Sequence, residues 1–184
     1  MSLKQPVPSR QITNAMLGGV SDSIYPQQLY VLGLEDLISK NIRGAKLSGW
    51  RFMGSLGGPD FSMDVESDSR GKAPALTELS EGPHVTNARN AIRKIIKSPE
   101  VRAHHFELRL LTIPALSVEA VWLKSQSRAA DLMVPYLTIA GLKPMQFYPL
   151  DKFLGALEPA AKTRIGFDDS PRMLRRPRAA KVRA

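Results

Sequence analysis

The sequence predicts an α+β domain: a mostly antiparallel sheet of about five strands with two or three helices packed on one face, followed by a disordered basic C-terminal tail. Three observations carry this prediction. Apolar residues alternate with period two in several short segments and return to helical spacing in others. Pro- and Gly-rich breakers separate these segments. From Ser170 onward the composition turns abruptly basic.

The bulk numbers bound the classes. The chain has 184 residues, 43% hydrophobic and 23% charged, which are globular proportions. One domain with a real core is expected at this length. With no cysteine there is no disulfide scaffold, thiolate-ligated metal or cysteine nucleophile. Ile12 to Tyr25 is interrupted by Thr13, Asn14, Gly18, Gly19, Ser21 and Asp22, so no secretory core is read there. The longest uncharged apolar stretch, Leu132 to Leu142, carries Pro135 and Gly141 and falls short of the ~20 residues that span a bilayer. A cytoplasmic protein without a transmembrane segment is expected.

Residues 1–24 read as an extended N-terminal arm, 25–165 as the single domain and 166–184 as the tail. Tyr30, Leu34, Leu37 and Ile38 form one stripe behind Pro26, which predicts an amphipathic helix over 26–40. Ser48, Trp50 and Phe52 then alternate with Gly49, Arg51 and Met53. Beyond a glycine-rich breaker, Phe61, Met63 and Val65 are expected inward, with Ser62, Asp64 and Glu66 outward. The two segments read as a hairpin, with a polar loop from Ser67 to Ala75.

A helix from Gly82-Pro83 to Lys97 is predicted by the apolar face of Val85, Ala88, Ile92, Ile95 and Ile96, and Ser98-Pro99 ends it. A second hairpin is expected about Pro114, with Phe106 facing Trp122, Leu108 facing Ala120, Leu110 facing Val118, and Arg109 paired with Glu119. Asp131 to Thr138 adds a strand that Pro135 marks as an edge. Leu150, Phe153, Leu154 and Leu157 predict a last short helix that Pro159 closes or bends.

The tail concentrates charge. Arg172, Arg175, Arg176, Arg178, Lys181 and Arg183 lie in fifteen residues without an acid. The net charge of +9 thereby divides into +6 on the tail and +3 on residues 1–169, where 20 basic residues meet 17 acidic ones. Such a segment cannot bury enough surface to order itself, and it suits an acidic protein surface or a phosphate backbone. Arg89, Arg93 and Lys97 recur every fourth residue and, with Lys94, form a basic ridge suited to the same partners, against a default of a solvated helix face.

Candidate chemistry is sparse. On a strand His105 and Glu107 would project to one side about 6.5–7 Å apart, a weak two-ligand metal site with no evident third ligand, His84 included. Gly54 to Asp60 lacks the ending of a phosphate-binding loop and reads as a hairpin loop. Asp64 and Glu66, on a polar strand face, give no reason for the raised pKa that acid–base work needs. Trp50 and Trp122 read as core anchors; Met145, Phe147, Tyr148, Pro149 and Leu150 read as a docking surface or as packing over one sheet end. The expected function is binding rather than catalysis: an accessory subunit with a protein partner in a larger assembly, without a cofactor. A nucleic-acid-associated protein and a metal-dependent enzyme around His105 and Glu107 are the alternatives.

Overall fold

In a computed structural model the chain is described over residues 21–55, 59–66, 75–126, 130–138 and 141–167. In order these form β1 (Ser21–Val31), α1 (Leu34–Ile38), β2 (Lys46–Ser55), β3 (Asp60–Glu66), β4 (Leu76–Glu81), α2 (Pro83–Lys97), α3 (Pro99–Arg102), β5 (Glu107–Ile113), β6 (Val118–Lys124), β7 (Leu132–Leu137), β8 (Tyr148–Pro149) and α4 (Leu150–Phe167). The α+β class is as predicted, but the sheet has eight strands in the order β4-β3-β2-β1-β5-β6-β7-β8. It is mixed, because β1 runs parallel to β5 while the other neighbours are antiparallel.

Helices cover both faces of this sheet, not one. On one side α4 sets Phe153, Leu154, Leu157 and Ala161 against Leu111, Ile113, Val118, Ala120, Trp122 and Met133, with Leu37 of α1 beside them. On the other, Val85, Ala88, Ala91, Ile92 and Ile95 of α2 pack on Leu29, Met53, Leu110, Val121, Leu123 and Val134. Each large aliphatic or aromatic side chain so buried contributes about 1.5–3 kcal/mol. Central strands with two covered faces lose their apolar/polar alternation, and β6 (Val-Glu-Ala-Val-Trp-Leu-Lys) reads that way.

This explains the register of the second hairpin, which differs from the expected one. Leu110 pairs with Val121, Leu111 with Ala120 and Ile113 with Val118, so Arg109 faces Trp122 rather than Glu119. The reversal takes four residues: a 3₁₀ turn at Pro114–Leu116, then Ser117 in the left-handed region at φ 50° and ψ 43°. Expecting one wholly apolar face favours the wrong pairing when both faces are apolar. Arg109 lies over the Tyr30 and Trp122 rings, 4.8 and 5.0 Å from their centroids, and its guanidinium donates to Glu107 at 2.8 and 3.0 Å.

The expected helix over 26–40 is mostly strand. Only Leu34–Ile38 is helical, while Tyr30 sits in β1 between two partner strands. Backbone pairing on both sides outweighs a four-residue helical stripe. Pro26 lies in an irregular stretch of the β1–β2 pairing, between Ile24 and Gln27, and ahead of Gln28 where β5 begins to pair. The strand takes in Ser21–Ile24 of the expected arm; residues 1–20 lie outside the described residues.

The first hairpin forms as expected, with Trp50 opposite Val65 and Phe52 opposite Met63. Gly49 opposes Glu66 so closely that a Cβ there would stand 2.0 Å from the Val65 carbonyl oxygen. Asp64, expected outward, is buried. β4 is a further strand, paired to β3 beyond the loop. α2 begins and ends where predicted: Pro83 stands in its first turn after Gly82 at φ 116°, and Pro99 holds Ser98 extended at ψ 127°. Ile96, expected on its apolar face, is exposed.

β7 is not the edge, since β8 pairs with Leu132 and Met133, but that pairing stops short of Pro135. The α4 helix runs past Pro159 to Phe167 instead of closing there. Pro159 is on the solvent side, so the carbonyl it leaves unpaired, that of Gly155, can take water. Both tryptophans are buried as anchors, and Met145, Phe147 and Tyr148 pack against the core rather than standing free.

Candidate functional site

The registers place polar groups in rows on the α2 side of the sheet. One row crosses Gln27, Arg51, Asp64 and Glu78 on β1 to β4. A second joins Leu29, Gly49 and Glu66. A third runs from Val31 through Thr112 and Glu119 to Leu137. Between these rows lies a cleft of about 580 Å³, with His84 from the first turn of α2 on its wall.

Arg51 forms the floor. Its Nε and Nη2 donate to Asp64 Oδ1 and Oδ2 at 2.7 and 2.8 Å, a bidentate fork. Its Nη1 donates to Glu119 Oε1 and Oε2 at 3.3 and 3.4 Å, longer and weaker. β2 and β6 are separated by β1 and β5, so in a flat sheet these backbones would stand about 14 Å apart. Both side chains must therefore reach across the intervening strands, which closes the floor. Burial by itself would lower the Arg51 pKa. The Asp64 hydrogen bonds, the Tyr136 hydroxyl and the two carboxylates outweigh it and raise the pKa.

Tyr136 lies beside Arg51 and Glu119, two residues on from Val134 and on the same side of β7. Glu119 pairs with Leu137 and Ala120 with Pro135, so Tyr136 is the extra residue on β7. The bulge turns Leu137 onto the same side as Tyr136 and opposite Glu119. Its hydroxyl is fully buried beside Glu119 and Arg51, with no hydrogen-bond partner of good geometry among the described residues. Burial first, and the Glu119 charge second, push its pKa well above the ordinary tyrosine value.

β4 borders the cleft with Thr77 and Glu78 and is the outermost strand on that side. Thr77 Oγ1 donates to the Asp64 carbonyl at 3.1 Å, and Ser80 Oγ donates to Glu78 Oε1 at 2.6 Å. Two of its residues are unusual for a surface: Leu76 is 56% exposed and Leu79 63%.

The residues singled out from sequence are distributed differently. Arg89 leaves the expected basic ridge. It is 1% exposed, ion-paired with Asp60, and its Nη1 donates to the Gly54 carbonyl at 3.5 Å. A position facing the sheet cannot present its charge to phosphates, so the ridge keeps Lys97, which is exposed, and the half-exposed Arg93. Lys94 donates to the Met145 carbonyl at 2.8 Å. His105 and Glu107 are both exposed, and Glu107 is engaged by Arg109. Among the described residues no group of three or more His, Asp or Glu side chains could hold a metal ion. Arg172, Arg175, Arg176, Arg178, Lys181 and Arg183 lie outside the described residues. Among the described residues no helix is long and apolar enough to cross a membrane.

Sequence reading misses the Arg51, Glu119 and Tyr136 group. The Arg51–Asp64 pair had a readable signal, because the hairpin that sets Trp50 opposite Val65 also sets Arg51 opposite Asp64. Glu119 and Tyr136 reach Arg51 through strand order, which leaves no local mark. No protein-family model, curated protein or solved structure matches this chain.

Proposed function

We propose that this protein acts by binding, as an accessory subunit that takes an extended segment of a protein partner along β4. The observation that carries the reading is the outermost strand among the described residues, Leu76–Glu81, which pairs with β3 on one side and exposes Leu76 and Leu79. Exposed edges are usually blunted by charged side chains, lysine above all, by proline or by covering structure; this six-residue strand has Glu78 and Glu81 but neither lysine nor proline. A partner strand added on the side of β4 away from β3 would pair with its backbone and cover both leucines. The basic residues from Arg172 to Arg183 extend the reading to an acidic surface on the same partner.

The cleft favours binding over proton-transfer chemistry. Tyr136 stays protonated and Arg51 stays charged around neutral pH, because both pKa values move away from it. The test is a photo-crosslinking residue at position 79 in the native host. A discrete protein adduct is expected there and is lost on Leu76→Lys, which charges the edge. Adducts no stronger than those from the exposed control position 152 would refute the reading.

A further inference from the structure

We infer that the chain's own N-terminal segment, residues 1–20, closes the face of β2 and β3 that points away from α2, with the uncharged stretch 11–20 seated on Trp50, Phe52 and Phe61. The inference is independent of the β4 reading, which concerns the outer edge of the sheet and not this face.

The registers define the face. Trp50 stands opposite Val65, Phe52 opposite Met63 and Gly54 opposite Phe61. The residues between them point the other way: Met53 packs under α2, and Arg51 forks to Asp64. Strand alternation therefore turns Trp50, Phe52, Phe61 and Val65 away from α2. All four are buried, and Phe52 is 0% exposed. The cluster of Trp50, Phe52, Val65 and Met63 nevertheless draws on β2 and β3 alone, while α1 and α4 pack on β5, β6 and β7 further along the sheet. An apolar sheet face is buried by a second layer, not by its own strands. The burial holds for one chain by itself, so that layer belongs to the same chain and not to a second copy.

Composition and connection choose the segment. Residues 67–74, which follow β3, hold nothing apolar beyond alanine and proline. Leu56-Gly57-Gly58 joins β2 to β3 and is too short to return over the face. Residues 127–129 and 139–140 adjoin β6 and β7, with β1 and β5 between them and this face. Arg172 to Arg183 would set cations against aromatic rings out of reach of water. Residues 11–20 carry no charge and include Ile12, Met16, Leu17 and Val20. They also join the sheet at the right end: Ser21 pairs with Ser55, which pairs with Asp60 beside Phe61. From Ser55 to Trp50 the face runs about 17 Å along β2, and ten residues span up to about 33 Å. The cover is narrow, because Leu79 opposite Met63 and Leu76 opposite Val65 stay exposed on the same face. One pass of chain, about 10 Å across with its side chains, suffices for two strands about 4.8 Å apart.

The test uses tryptophan as a reporter in the full chain. Trp50 and Trp122 are the two tryptophans, so Trp122→Phe leaves Trp50 to report on this face alone. Acrylamide should quench that variant weakly, as fits a residue 9% exposed. Adding Met16→Asp/Leu17→Asp, which charges the cover, should raise the quenching constant about threefold or more while circular dichroism stays unchanged. Arg175→Glu/Arg176→Glu, in the basic tail, should leave it as it was. A second measurement decides the matter should any of these variants fold poorly. A diazirine-bearing aliphatic residue replaces Met63, half-buried at the border of the cover, in the otherwise unaltered purified chain. Irradiation should give an intramolecular adduct that peptide mapping places within residues 1–20. The inference is overturned if Met16→Asp/Leu17→Asp leaves the quenching unchanged, if the tail variant raises it instead, or if no adduct from position 63 maps to residues 1–20.

Discussion

Arg51→Met removes the guanidinium that bridges Asp64 and Glu119 and strands both carboxylates. The Arg51 side chain is 8% exposed, Asp64 10% and Glu119 16%, so neither acid can recover full hydration in place. Methionine matches the volume of the stem, which confines the effect to charge. Breaking a buried pair by removing one partner costs about 3–5 kcal/mol, well above the cost of replacing both partners with apolar groups. Against a total stability of about 5–15 kcal/mol, that is a large fraction. With a urea m-value near 2 kcal/mol/M, the midpoint should fall by about 1.5–2.5 M. Equilibrium urea unfolding followed by both fluorescence and circular dichroism measures it, coincident curves securing the two-state treatment. Arg51→Met/Asp64→Asn should recover roughly half the loss or more, because the stranded charge and not the missing arginine carries most of the cost. A single-variant loss under about 1 kcal/mol would refute the argument. So would a double variant no more stable than Arg51→Met, since neutralising Asp64 would then relieve none of the cost assigned to the stranded charge.

Three further predictions come from particular contacts. Gly49→Ala should destabilise by about 2 kcal/mol or more in the same urea assay, because its Cβ would meet the Val65 carbonyl oxygen at 2.0 Å and backbone must move. Arg89→Met should cost less than Arg51→Met, about 1–3 kcal/mol, since it strands one carboxylate, that of Asp60 at 17% exposure, instead of two. Tyr136 carries a folded-state pKa raised by burial, so its contribution is whole below the unfolded value of 10.0 and declines as pH rises beyond it. Tyr136→Phe should then lose less stability than wild type between about pH 10 and 11 in unfolding curves taken across that range; parallel losses would count against it.

Residue order alone was enough for α2, for the pairing of β2 and β3 as a hairpin and for the strand character of β5, β6 and β7. Their signals are local: helical or two-residue spacing bounded by Pro83, Pro99 and the glycine-rich stretch after Gly54. It also fixed the division of charge between residues 1–169 and the tail, which is arithmetic on the chain. The tertiary structure decided where strands stand next to one another, and with that everything about the cleft. The parallel β1–β5 pairing turns residues 26–31 from an expected helix into a central strand, because two rows of backbone partners outweigh a four-residue apolar stripe. Helices on both faces moved the β5–β6 register and freed Glu119 from Arg109 to meet Arg51. They also drew Arg89 inward from the ridge it was expected to form. Side-chain periodicity reports only that a residue faces one way or the other. Which distant residue it meets depends on strand order, turn length and bulges, and those are settled by packing over the whole sheet.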